Sequence, residues 1–449
     1  MSQPTHPHRT SPRAFLRRRS LWLPTGAIVG LLSLLFSLLY MGANKDPMGS
    51  LRDLPIALVN ADKGAEIGGK KVNLGDQITA SVAGTSTLKG KVSWKQVNRA
   101  EAREQLGKGK VFGALVIPEN FSASVASLGD PSQKSPQTPT LTVLTNRAAG
   151  SIGSSLASQF NQAAAHAASA QLGEKLTQQM AQQAKKQKAS AASAGGELSA
   201  LEGQLLADPV KVTVEDGHPL SNGSGLGLSA FYLTLVLILC GMMSANVIHN
   251  QVDVVLGYAA SDLGPIRTTQ PEARISRTRH FAIASALMLG LSILIASAAL
   301  VAAVWIVGID APHLALLWIY SVCVVAAIGM GTLSLLAVFG TPGVLVAMLV
   351  IVTLAIPSAG ATMPLEALPR FYQFLAEFEP FRQVVDGVRS ILYFDAQGDA
   401  GLLRGWISVG IAFVVALLFG FGVTHFYDRK GLHRYTPEAS AEPAPAPAG

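Results

Sequence analysis

Polar and apolar residues alternate along this chain on two length scales. On the longer one, six stretches stand almost free of charge: Leu21–Met41, Leu226–Ile248, Phe281–Gly308, Leu314–Phe339, Val344–Ser358 and Leu402–Phe426. The first holds no charged side chain, and as a helix it spans ~31 Å, close to the ~30 Å hydrocarbon layer of a bilayer. A cleaved signal peptide would have a shorter apolar core ending at small residues, whereas this run ends in Leu38-Leu39-Tyr40-Met41, so an uncleaved anchor is expected. Val344–Ser358 is short and stops at Ile356-Pro357. The pattern predicts an α-helical polytopic membrane protein of six spans, one before and five after a polar insert at 42–225. That insert is expected to be a large extracytoplasmic mixed α/β domain carrying a long helical stalk.

Within the insert the period shortens. Leu54–Val59 reads as a strand closed by the turn cluster Asn60-Ala61-Asp62-Lys63-Gly64. Asn73–Ala83 reads as a helix with Leu74, Ile78 and Val82 on one face. Val92–Val97 follows as a strand, Ala100–Leu106 as a helix, and Phe112–Ile117 as a strand halted by Pro118, with Asn120 placed to cap the next helix. Thr140–Leu144 and Val210–Val214 complete five strands, and strands alternating with short helices suggest a small α/β domain. Between the last two strands, residues 150–206 are rich in Ala, Gln and Ser. Ile152, Leu156, Phe160, Ala164, Ala168, Leu172, Leu176 and Met180 recur every four residues, and Leu198, Leu201 and Leu205 resume the row. Two long helices hinged near Ala192–Gly196 fit this row; a flexible linker is the alternative.

The stretch 359–401 is the most patterned polar segment beside the apolar runs. Pro357, Pro364 and Pro369 break the fifth run. Leu368–Phe378 then sets Phe371, Phe374, Leu375 and Phe378 on one face, and Phe381–Leu392 sets Val384, Val385, Val388 and Leu392 on another. An aromatic amphipathic helix is suited to an interfacial or re-entrant position. Arg382, Asp386 and Arg389 stand at helical spacing for a ladder of ion pairs. Together with Pro364 and Pro369 they are the candidate functional residues of this outer loop.

Composition sharpens the picture. Only 14% of the 449 residues are charged and 49% are hydrophobic, against roughly 25% charged in a soluble domain, which excludes a wholly soluble chain and a disordered one. The net charge of +7 is largely a topology signal. Twelve Arg and Lys side chains fall in 1–20, 249–280 and 427–449, and three in 309–313 and 360–401. Both termini are therefore expected in the cytoplasm of a multi-pass cell-membrane protein, with the lipid bilayer and no nucleic acid as partner. The basic segment 1–20 and a disordered tail at 427–449 flank the span at 21–41 and the membrane domain at 226–426. Cys240 and Cys323 both lie inside apolar runs, leaving no disulfide framework or cysteine metal site. There is no G-x-S-x-G and no H-E-x-x-H, and Gly107-Lys108-Gly109-Lys110 lacks the spacing and hydroxyl of a phosphate loop. His249, His280, His425 and His433 stand at the edges of the apolar runs and read as solvated flanks. No enzymatic activity, cofactor or metal is expected. The runs contain no acid or lysine, which disfavours a proton-driven pump. Gly241, Gly290, Gly329 and Gly331 would permit close helix contact.

Several stretches together resemble the phage infection protein (YhgE/Pip-like) family within the ABC type-2 permease superfamily. They are Leu54–Gly64, Val72–Ile78, Trp94-Lys95-Gln96-Val97, Ala100–Phe121, and the loop from Pro357 through Pro364, Pro369 and Pro380 to Arg389. The resemblance implies a permease-like subunit of an export system, a homodimer or heterodimer coupled to a cytoplasmic ATPase subunit. It also implies a lipid-like, amphipathic or drug-like solute. Coupling would pass through the loop 249–280, with Asp253, Asp262, Arg274, Arg277 and Arg279 as candidate residues. Some relatives of this kind act as phage receptors or secretion components. A non-transporting envelope scaffold acting through the outer domain is therefore the alternative.

Overall fold

The computed structural model describes residues 19–43, 46–67, 70–84, 90–128, 137–188, 209–221, 223–353, 360, 363–378, 380–432 and 434. The arginines at 9, 13, 17 and 18, the expected hinge at 192–196 with Leu198, Leu201 and Leu205, Pro357, and the end of the C-terminal tail lie outside the described residues.

After the helix α1 (Arg19–Ala43), the insert folds around one mixed sheet. Its elements are β1 (Leu54–Asn60), β2 (Ala65–Ile67), β3 (Lys70–Val72), α2 (Leu74–Gly84), β4 (Val92–Gln96), α3 (Arg99–Gly107), β5 (Gly113–Ile117), α4 (Phe121–Leu128), β6 (Thr140–Thr145), α5 (Ser151–Lys188) and β7 (Lys211–Asp216). The sheet order is β4-β1-β5-β6-β7, antiparallel only between β5 and β6. β1 and β5 are apolar on both faces because both faces are covered, as in other buried central strands. Leu58, Leu115 and Ile117 meet α2, α4 and α5 on one side. Ala57, Val59, Ala114 and Val116 meet Ala102 and Leu106 of α3 on the other. The β2–β3 hairpin is absent from the sequence reading.

The turn after β1 is held by one carboxylate. Asp62 is buried and accepts hydrogen bonds from the backbone N–H of Gly75 (3.0 Å) and Ser122 (3.0 Å) and from the Ser122 hydroxyl. It thereby sits at the N-terminal ends of α2 and α4 together, where helix dipoles favour negative charge. The Asn60 amide reaches Asp76 in the first turn of α2 (2.7 Å). Asn60 and Asp62 of the turn cluster thus have a structural task.

α5 departs from a free-standing stalk. Leu156 and Phe160, then Ala164, Ala168 and Leu172, are buried against the sheet and its helices, and the Ser169 hydroxyl accepts the backbone N–H of Val210. The four-residue row is therefore core through Leu172, while Ile152 at its start is exposed.

The second half is a helical bundle of α6 (Ser229–Val255), α7 (Arg277–Leu300, extended by a π-helical turn to Ile306), α8 (Leu314–Phe339), α9 (Pro342–Ala347), α10 (Arg370–Phe378), α11 (Pro380–Tyr393) and α12 (Leu402–Arg429). Among the described residues four helices are long and apolar enough to cross a membrane: Ser229–Val255, Arg277–Ile306, Leu314–Phe339 and Leu402–Arg429. The other two expected spans correspond to shorter apolar helical stretches, Ala27–Ala43 and Pro342–Ile351. Between α6 and α7 lies a small hairpin, β8 (Ser261–Leu263) with β9 (Ile266–Thr268). Gly241 and Gly329 sit at helix contacts as their size allows, whereas Gly290 and Gly331 face open space.

Tyr320 of α8 is fully buried where α11 and α12 cross it. A Cβ at Gly387 would lie 2.3 Å from its hydroxyl, and one at Gly405 would lie 2.4 Å from it and 2.9 Å from the Gln383 carbonyl. The hydroxyl has no hydrogen-bond partner among the described residues. Ser334 ties α8 to α12 by donating to the Ala416 carbonyl (2.7 Å).

Replacing Asp62 by Ala strands buried amide donors at two helix ends, at a cost of about 3 kcal/mol; hydrogen exchange should accelerate in the first turns of α2 and α4 together. Gly387→Ala should lower stability by about 1–3 kcal/mol through overpacking. Adding Tyr320→Phe should restore part of that loss in thermal unfolding of the detergent-solubilised protein.

Candidate functional site

Helix α11 presents the outer-loop residues as their spacing predicts. Val384, Val385, Val388 and Leu392 are buried in the bundle, leaving Arg382 and Asp386 half-buried at the helix's other side and Arg389 buried between the two. Asp386 lies 3.8 Å from Arg382 Nε and 3.6 Å from Arg389 Nη1, so one carboxylate serves two guanidinium groups. The Arg389 side chain is only 7% exposed. Burial pushes its guanidinium below the ordinary value, and Asp386 opposes the shift.

These groups line a cleft of about 340 Å³ between the sheet domain and the bundle. Pro364, Arg382, Asp386 and Arg389 all reach it, and Pro369 does not. The sheet domain contributes the turn after α3. Lys108 and Lys110 converge on Asp399 at 2.9 and 3.2 Å, and this pairing holds the Asp399 carboxyl below the usual carboxylate range. Between them Gly109, at φ +63°, admits the Phe394 ring; a Cβ would lie 2.8 Å from it. Five cationic side chains (Lys108, Lys110, Arg382, Arg389, Arg404) face three acidic ones (Glu366, Asp386, Asp399), leaving the cleft basic. Glu366 is largely withdrawn from water, and its buried Oε2 has no hydrogen-bond partner among the described residues. Burial pushes this carboxyl above its ordinary range, with Arg382 and Lys95 pulling the other way.

Beside the cleft, a larger groove of about 790 Å³ runs along α12. Ile407, Ile411, Ala412 and Val415 form its apolar floor, and Glu377, Arg382, Gln383 and Arg404 its polar end. Leu365, Arg382 and Arg404 line both spaces. Arg404 is exposed and has no ion-pair partner among the described residues. Next to this groove α10 turns Phe371 (57% exposed) and Phe374 (63%) outward, while Tyr372 is buried and donates to the Leu39 carbonyl of α1 (2.8 Å).

At the opposite end of the bundle the candidate coupling residues separate. Asp262 and Arg267 form an exposed pair on the β8–β9 hairpin, and Arg274 and Arg279 are exposed. Arg277 stacks on Tyr427 (5.4 Å), and its backbone N–H donates to Asp428 at the end of α12 (2.8 Å). Asp253 belongs to no loop: α6 continues to Val255 and buries it. The His280 ring donates from Nε2 to Asp253 Oδ1 (2.7 Å), and Arg434 grips both carboxylate oxygens (2.7 and 2.6 Å). His249, one turn before Asp253, is 8% exposed, and its Nε2 lies 3.7 Å from Asp253 Oδ2. His249 and His280 are therefore buried ligand-type groups and not solvated flanks. Sequence reading missed this cluster because it counted α6 as ended at Ile248. The apolar row Ile248 and Val252 would have carried the helix on.

A family model described as "Protein of unknown function (DUF3533)" matches residues 25–412. The chain belongs to this family. It is also similar to the uncharacterized protein YhgE of Bacillus subtilis (strain 168), with 27% identity over 139 residues. That alignment covers 31% of this chain and 17% of YhgE, so the chain spans well under a fifth of that relative's length. No solved structure matches. The similarity to YhgE agrees with the family resemblance read from the sequence, and the four apolar helices mark a membrane protein.

A carboxyl whose folded pKa is raised contributes its stability at low pH and loses it as pH rises past the folded value. Glu366→Gln should therefore raise the unfolding temperature at about pH 7, and the gain should vanish by about pH 4, where both forms are neutral.

Proposed function

We propose that this chain is the permease-like integral membrane subunit of an ABC type-2 export system in a cell membrane. It moves a lipid-like, amphipathic or drug-like compound out of the cytoplasm or membrane, with energy from a partner ATPase. In this reading α1 and the segment beginning at Pro342 join the four long helices to make six spans. Both termini are cytoplasmic, as the twelve-to-three division of basic residues favours. The sheet domain, α10 and α11 then lie outside, and two copies or a copy and a close relative pair in the bilayer. The chain itself carries out no covalent chemistry.

One observation carries the proposal: a basic polar cleft and an apolar groove share Arg382 and Arg404 at their junction. A compound with a charged head and a greasy body fits this division, the head at the arginines and the body along Ile407, Ile411 and Val415. The unpaired Arg404 supplies a charge-assisted hydrogen bond to an acidic head group.

Efflux of a fluorescent anionic amphiphile, compared in cells with and without the protein, tests it. Arg404→Gln should slow efflux about tenfold, the worth of one charge-assisted hydrogen bond, and Ile411→Trp should block the groove. Equal efflux with and without the protein, together with no nucleotide-hydrolysing partner on purification from native membranes, overturns the proposal. If deleting α5 abolishes the phenotype while groove substitutions leave it intact, the chain is an envelope scaffold or phage-adsorption receptor working through the sheet domain.

A further inference from the structure

We propose that His249, Asp253 and His280 form a binding site for a divalent metal ion of the zinc class, with Arg434 as a built-in competitor for the same carboxylate. His249 and Asp253 stand four residues apart on one face of α6, and His280 faces them from the first turn of α7. Their donor atoms all lie within 4.8 Å of one another, and all three residues are buried. Two imidazoles and a carboxylate are a ligand set for a borderline ion such as zinc, with a fourth position left open, and they suit calcium or magnesium poorly. Ligands at about 2.1 Å around a tetrahedral ion stand roughly 3.4 Å apart, so the widest pair closes by about 1.4 Å, within reach of side-chain rotation.

In the structure the cation facing Asp253 is the Arg434 guanidinium, which reaches it from beyond the end of α12 and lies over the Tyr258 ring at 5.2 Å. The guanidinium neutralises the carboxylate and comes within 3.4 Å of His280 Nε2, but it makes no hydrogen bond to His249 among the described residues. His249 is buried, stands 3.7 Å from Asp253 through Nε2, and makes no protein hydrogen bond among the described residues. As a metal ligand the same ring is satisfied. An ionisable group in an apolar helix needs a counter-charge in every state, and here two cations can supply it in turn. Metal binding therefore releases Arg434 from α6.

Zinc binding to the purified full-length protein in detergent, by equilibrium dialysis with elemental analysis, tests the proposal, and cobalt(II) spectra report the coordination. Arg434→Gln removes the competitor and should bind one zinc per chain about tenfold or more tighter than the unsubstituted protein. Cobalt should give the intense visible absorption of a tetrahedral site. His249→Ala, which removes no hydrogen bond, should lose both signals while the protein stays folded, and His280→Ala should do the same. The proposal is overturned if Arg434→Gln binds no stoichiometric zinc. It is equally overturned if Arg434→Gln binds no tighter than the unsubstituted protein, or if His249→Ala binds as tightly as its parent.

Discussion

Burial of the valine face of α11 is the constraint on which the outer site depends. Val384, Val385 and Val388 enter the same core as Tyr320, Phe381 and Val409, and this fixes the rotation of the helix. Because Arg382 and Asp386 stand on the other side of the same helix, apolar packing aims the ion-pair ladder at the cleft. The glycines at 387 and 405 let α11 and α12 close on Tyr320, which brings Arg404 level with Arg382. Charge placement at the mouth is thus a consequence of side-chain volume in the core.

The sheet domain was legible in the sequence because its central strands are short continuous apolar runs bounded by turn residues. β1, β4, β5, β6 and β7 fall within a residue or two of the predicted stretches. β2 and β3 were not legible: three residues each, with Lys70 and Lys71 in place of an apolar alternation, they carry no period to detect. The helical row in 150–206 was visible, but periodicity could not say what covered it, and the sheet does so as far as Leu172. The amphipathic pattern at 381–392 gave both the core face and the charge ladder of α11.

Two groups of site residues escaped for different reasons. Lys108 and Lys110 enter the cleft from a chain segment far from α11, so only the tertiary fold brings them to it. Glu366 comes from the patterned loop itself but at no helical spacing from the ladder. Gly109 sits in the lysine turn because its φ of +63° and the Phe394 ring leave no room for a side chain. The sequence pattern puts Asp253 in a loop because counting charge-free residues ends a span sooner than helical hydrogen bonding does. Its partners His280 and Arg434 stand 27 and 181 positions away, beyond the reach of any local pattern.

The seam between sheet domain and bundle has a different character from either body. Its polar links include the two lysines on exposed Asp399, the His218 ring on the Tyr393 carbonyl (2.7 Å) and the Arg52 amide on the Glu366 carbonyl (2.8 Å). Ion pairs open to water weaken once dissolved salt shortens the Debye length to about 3 Å at molar concentration, whereas buried apolar contact does not. Raising ionic strength should therefore loosen the lysine pairs at the rim while the helices beneath keep their grip.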